Sequence, residues 1–149
     1  MTFEQIGTIY SPFKSKENMP IQSIGAKGIK GKIVLKKEYT LGLNDLSDFS
    51  HIILLYYFHK SNGFELETMP FLDHVKRGVF ATRAPKRPNG IGISVVKVFN
   101  IDKNIINIEN VDILDGTPLL DIKPYISSFD IHNVEKNGWT ENKTQNVIT

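Results

Sequence analysis

Residues 93–114 read ISVVKVFNIDKNIINIENVDIL, two alternating apolar segments on either side of the polar residues Asp102, Lys103 and Asn104. A period of two interrupted by a short polar turn predicts a β-hairpin. Upstream, the apolar run Ile52–Phe58 predicts a central strand. Just before it, NDLSDF (44–49) offers an Asn cap and sets Leu43, Leu46 and Phe49 three residues apart, which predicts a short helix. FEQIGTIYS (3–11) alternates as a first strand, and Gly28 and Gly31 break the chain before a second over Lys32–Lys36. Many short strands without regular helices between them predict a mainly β domain, a closed barrel or a sandwich.

Composition narrows the function classes. The chain has 149 residues, 40% hydrophobic and 23% charged, as expected of one globular domain. A net charge of +2 is too small to argue for nucleic-acid binding, which needs local charge density. The absence of cysteine excludes disulfides, thiolate zinc sites and a cysteine nucleophile, and fits a reducing compartment such as the cytoplasm. MTFEQIGTIY lacks a basic, then apolar, leader pattern, and HIILLYYFH (51–59) is too short to span a bilayer, so no membrane partner is expected.

The charge that matters is clustered. Between His74 and Ile101 every formal charge is positive: Lys76, Arg77, Arg83, Lys86, Arg87 and Lys97. Within RGVFATRAPKRPNGIGIS (77–94), Pro85 and Pro88 stiffen the loop, while Gly90 and Gly92 are read as permitting backbone close to a ligand or in a left-handed turn. The segment reads as a preorganised anion site, against the common alternative of a solvated basic loop. Its G-x-G lacks the third glycine and the following helix of a dinucleotide fingerprint, and no Walker motif is present. Asp112, Asp115 and Asp121 match neither an EF-hand loop nor a His-carboxylate pattern, so no metal site is expected. The Asp115–Gly116 turn, His51 and His59 each have an ordinary structural reading, and SPFKSKENMPIQ (11–22) reads alone as a connector.

Taken in order, IGTIYSPFKSKENMPIQ (6–22), DFSHIILLYYFHKS (48–61), GVFATRAPKRPNGIGISVV (78–96) and DILDGTPLLDIKPY (112–125) resemble the successive signatures of the TsaA-like family of TrmO-type tRNA methyltransferases. The resemblance, over residues 6–125, implies a small closed β-barrel, and the chain is read as a single domain with short helices over residues 1–137 and a polar tail over 138–149. The resemblance further implies S-adenosylmethionine as cofactor, a homodimer, and methylation of threonylcarbamoyladenosine beside the tRNA anticodon. Carried over by position, cofactor contacts fall on Gln22, His59, Lys60, Arg83, Ile93, Leu114, Asp115, Gly116 and Thr117. The carboxylate of Asp115 and its neighbouring carbonyls are expected to tolerate the sulfonium charge. Lys86 and Arg87 are expected to reach outward to tRNA phosphates, with Asn89 and Tyr125 on the acceptor side. Two departures stand out: Lys60 replaces a glutamine usual after the strand-end histidine, and the tail is short where longer bacterial members carry a further domain. The alternatives are methylation of another RNA or a small molecule, and a non-catalytic RNA-binding barrel.

Overall fold

Alternation decides which way each strand faces, and the faces decide the closure. The computed structural model describes residues 1–17, 19–20, 23–71 and 73–141. Its strands are β1 (Gly7–Tyr10), β2 (Lys30–Leu35), β3 (His51–Tyr57), β4 (Glu67–Thr68), β5 (Arg77–Gly78), β6 (Ile91–Asp102), β7 (Ile105–Glu109) and β8 (Thr117–Pro124). Among the described residues, six of them close into an antiparallel barrel in the order β1-β2-β7-β6-β3-β8, and β4 and β5 form a separate ribbon. Ile9, Ile33, Ile52, Leu54, Ile106 and Leu119 point inward and are fully buried. Burying alternate apolar side chains drives this closure and fixes the register, because a one-residue slip would turn every one of them outward.

The hairpin is present as β6 and β7, joined by Lys103 and Asn104, with Asp102 still in the strand. Lys103 takes φ 54°, and the Asn104 amide donates to the Leu35 carbonyl at 2.7 Å, so the turn is also tied to β2. β6 is long enough to pair with β3 along its first half and β7 along its second, with a register shift between Val98 and Asn100. Such a bulge bends a strand around a barrel.

The segment before β3 departs from expectation in kind. It forms 3-10 helices at Lys37–Leu43 and Leu46–Asp48, without a side-chain cap, and Asp45 between them takes φ 70°. Leu43 ends the first helix and Leu46 begins the second, and the turn through Asn44 and Asp45 brings both leucines into the core.

Candidate functional site

The antiparallel register sends three long connections, 11–29, 58–90 and 110–116, out of one end of the barrel. The opposite end carries the 36–50 link and the Lys103–Asn104 turn. Among the expected cofactor residues, His59, Lys60, Arg83 and Leu114–Thr117 therefore share the loop end, and so do Lys86, Arg87 and Asn89. Gln22 lies outside the described residues.

The first and third connections are laced together. The Ser11 backbone N–H donates to Asp115 Oδ1 at 3.0 Å, and Lys14 Nζ meets Asp115 Oδ2 at 2.5 Å. The Asp115 and Gly116 N–H groups donate to the carbonyls of Phe13 and Ile9, both at 2.8 Å, and Ser11 Oγ donates to the Ile113 carbonyl. Thr117 Oγ1 closes the turn on the Leu114 carbonyl at 2.7 Å. The Lys14 hydrogen bond, assisted by the Ser11 N–H, holds the Asp115 carboxyl below its ordinary range despite some desolvation. Both carboxylate oxygens are thus engaged within the chain, which makes Asp115 a strut of the turn.

The second connection braces itself. Thr82 Oγ1 donates to the Val79 carbonyl at 2.8 Å, and Arg87 Nη1 donates to the carbonyls of Thr82 at 2.9 Å and Ala84 at 3.2 Å. Trp139 Nε1 donates to the Ala81 carbonyl at 2.7 Å, so the start of the tail docks on this loop. Arg87 is half-buried and folded onto its own loop, whereas Lys86 is exposed. The outward reach expected of the pair therefore fits Lys86 alone, because the two carbonyls draw the Arg87 guanidinium inward. The charge cluster is also less bare than the sequence window suggested. Arg77 Nε donates at 2.8 Å to the buried carboxylate of Asp73, one residue outside that window.

Beneath these loops lies a buried polar chain absent from the sequence expectations. Ser94 Oγ donates to Asp112 Oδ1 at 2.7 Å and stands 2.8 Å from the Tyr56 hydroxyl. Because Ser94 has one proton and gives it to the carboxylate, the Tyr56 O–H is the donor to Ser94. Desolvation raises the Asp112 carboxyl to about 6, opposed by the Ser94 bond, its own backbone N–H and the Arg83 charge. Burial, then the Asp112 charge, also raises the Tyr56 hydroxyl, so it stays protonated. A polar side chain at the inward parity of β6, between Gly92 and Val96, was the available signal for Ser94.

Gly92 has a different purpose from the expected one. Neither Gly90 nor Gly92 takes a positive φ. A Cβ at Gly92 would lie 2.4 Å from the Tyr56 ring and 2.8 Å from the Phe58 ring, so glycine makes room for two aromatic side chains. Those rings meet edge to face at 5.7 Å.

The other candidates divide. Burial, then the neighbouring Lys60 charge, lowers the His59 imidazole below its ordinary value, leaving it neutral at pH 7. Ile93 sits opposite Leu55 on the outer wall of the barrel, 48% exposed. Tyr125 follows the far end of β8, its N–H bonded to the His51 carbonyl at 3.0 Å. The 8 residues of that strand span about 25 Å. That length removes Tyr125 from the loop end, and the expected acceptor-side pairing with Asn89 is not met within one chain.

Residues 8–131 match the tRNA-methyltransferase O N-terminal domain. The chain belongs to the TrmO family. It is 50% identical over 139 residues to a probable S-adenosyl-L-methionine-binding protein of Pyrococcus abyssi, covering 93% of this chain and 76% of that one. It is 37% identical to the tRNA (adenine(37)-N6)-methyltransferase of Escherichia coli, covering 83% of this chain and 57% of the relative. A crystal structure of TrmO from Pseudomonas aeruginosa superposes with a TM-score of 0.79 at 35% identity, covering 93% of this chain and 62% of that chain. Against these TrmO enzymes the chain thus spans somewhat less than two thirds of their length. The family and the mainly β barrel expected from the sequence are both borne out. Among the described residues, no helix is long and apolar enough to cross a membrane.

Proposed function

We propose that this chain is an S-adenosylmethionine-dependent tRNA methyltransferase, acting on the exocyclic nitrogen of threonylcarbamoyladenosine at position 37, next to the anticodon. Family membership and the names of its relatives support the reaction class. The observation that carries the reading is geometric: the three long connections leave one barrel end and bring most of the expected cofactor residues with them.

The residues present fit such a cofactor. Gly116 takes φ 81°, and a Cβ added there meets nothing within 4 Å, so the Leu114–Thr117 turn offers bare backbone to open space. Lys60 and Arg83 are cations suited to the carboxylate of an amino acid, while neutral His59 adds no charge against a sulfonium. Gln22 and Ile93 complete the set by resemblance. When bound, the cofactor supplies an electrophilic methyl group, and the protein's task is chiefly to hold the acceptor nitrogen in line with it. Lys86, exposed on the lip, contacts phosphate, and Asn89 faces the acceptor.

The reading includes a homodimer working in the cytoplasm. It also takes 1–137 as the barrel domain and 138–149 as its tail.

Calorimetry with S-adenosylmethionine and mass spectrometry of tRNA nucleosides test the reading in turn. The expected outcome is stoichiometric binding followed by loss of unmethylated threonylcarbamoyladenosine. No binding would leave a non-catalytic RNA-binding barrel, and methylation of some other RNA or small molecule would replace the substrate.

A further inference from the structure

Beside the Pro85–Gly90 arm, the outer wall of the barrel opens into a cavity of about 530 Å³. Phe3, Tyr57 and Phe64 line it and remain 70%, 46% and 54% exposed. Aromatic rings left in water around one concavity are poorly placed for folding stability and well placed to stack on a planar ligand. No aspartate or glutamate is among its lining residues, while Arg87 is, and exposed Lys86 stands next in the chain.

The polar groups favour a nucleobase over a generic apolar guest. Arg87, pinned through Nη1 to two carbonyls, presents a guanidinium plane of fixed orientation, and such planes stack on unpaired bases. The Asn89 side-chain amide has no hydrogen-bond partner among the described residues and carries the donor and acceptor that match an adenine edge. Position supports the same occupant. Phe58 and Ser61, on either side of His59 and Lys60, line the cavity, as does Pro118, which follows Thr117. The cavity therefore borders the residues assigned to the cofactor through two separate chain segments.

We infer that this cavity receives the methyl-accepting nucleobase of the RNA, unstacked and held between Tyr57 and Phe64 with its edge at Asn89. The inference rests on the tRNA methyltransferase reading above and adds the place where the acceptor binds. Its charge complement is the phosphate backbone beside the base, which meets the exposed Lys86.

The test uses the full chain and a fluorescein-labelled anticodon stem-loop RNA carrying threonylcarbamoyladenosine. Tyr57→Ala combined with Phe64→Ala is expected to weaken RNA binding by about tenfold or more. Calorimetric affinity for S-adenosylmethionine should stay within about twofold, because neither ring is assigned to the cofactor. Tyr57→Phe, which keeps the ring, should restore most of the binding when paired with wild-type Phe64. Unchanged RNA affinity and turnover in the double variant overturn the inference while leaving the methyltransferase reading intact. Dissociation of a dimer by the same substitutions, seen in sedimentation, also overturns it, since the cavity would then be a contact between copies. Failure of the unaltered protein to bind S-adenosylmethionine strikes the parent reading instead.

Discussion

The two ends of the barrel are held together by different physics. At the turn end, Leu43 and Leu46 plug the core from a pair of 3-10 helices, and Lys103 and Asn104 reverse the chain in the shortest way a hairpin allows. At the loop end, hydrogen bonds join residues 101 to 104 positions apart, as in Lys14 to Asp115 and Ser11 to Asp115. One end is closed by apolar burial and local geometry, the other by a polar lattice between distant segments. The difference separates stability from chemistry: the first end should tolerate few changes of volume, the second few changes of charge.

The largest effect should come from breaking the plug. Leu46→Ala removes a buried side chain and should cost about 2–5 kcal/mol, read as a lower midpoint in urea or heat. The fraction that remains folded should bind S-adenosylmethionine as before. A loss of cofactor affinity in the folded fraction would erase the proposed separation.

Asp112 sharpens the comparison, because it belongs to a loop-end connection yet is buried. The folded protein takes up its proton near pH 6, whereas the free carboxyl does so near 3.8. Protonation thus contributes stability that is full below the unfolded value and lost as pH rises through about 6. Asp112→Asn, which still accepts from Ser94, should stabilise the fold above pH 6 by up to about 3 kcal/mol and change little below pH 4. Chemical denaturation at both pH values checks this, and an equal shift at both would show that the charge is not what burial penalises. A drop in cofactor affinity at neutral pH would accompany the gain if the Asp112 charge also steadies Arg83.

The smallest effect belongs to the exposed lip. Lys86→Ala should lower the slope of log affinity for tRNA against log salt by about one and leave the melting midpoint almost unchanged. A full salt slope in that variant would move the phosphate contact elsewhere on the loop end.

The same division explains what the sequence revealed. Alternation in 93–114 and 52–58 announced the wall of the barrel, because each strand's inward set is written in its own period of two. The 3-10 helices were half legible: spacing by three was visible, but the left-handed backbone of Asp45 was not. Residues of the loop end became legible through the family signatures, while their partners did not. Tyr56, Ser94 and Asp112 lie 38 and 18 positions apart along the chain and meet only once β3 and β6 have paired. Gly92 was noticed for the wrong reason, since the rings it accommodates come from another strand. Within one chain Tyr125 stands apart from Asn89, because proximity in the signature DILDGTPLLDIKPY is undone by the full length of β8.

The bond from Trp139 to the Ala81 carbonyl gives the molecule an optical property. Trp139 is the only tryptophan in the chain, and it is fastened two residues before Arg83. Excited apart from the five tyrosines, its emission therefore reports from the site's own doorstep and senses the polarity and motion of that loop without any added label.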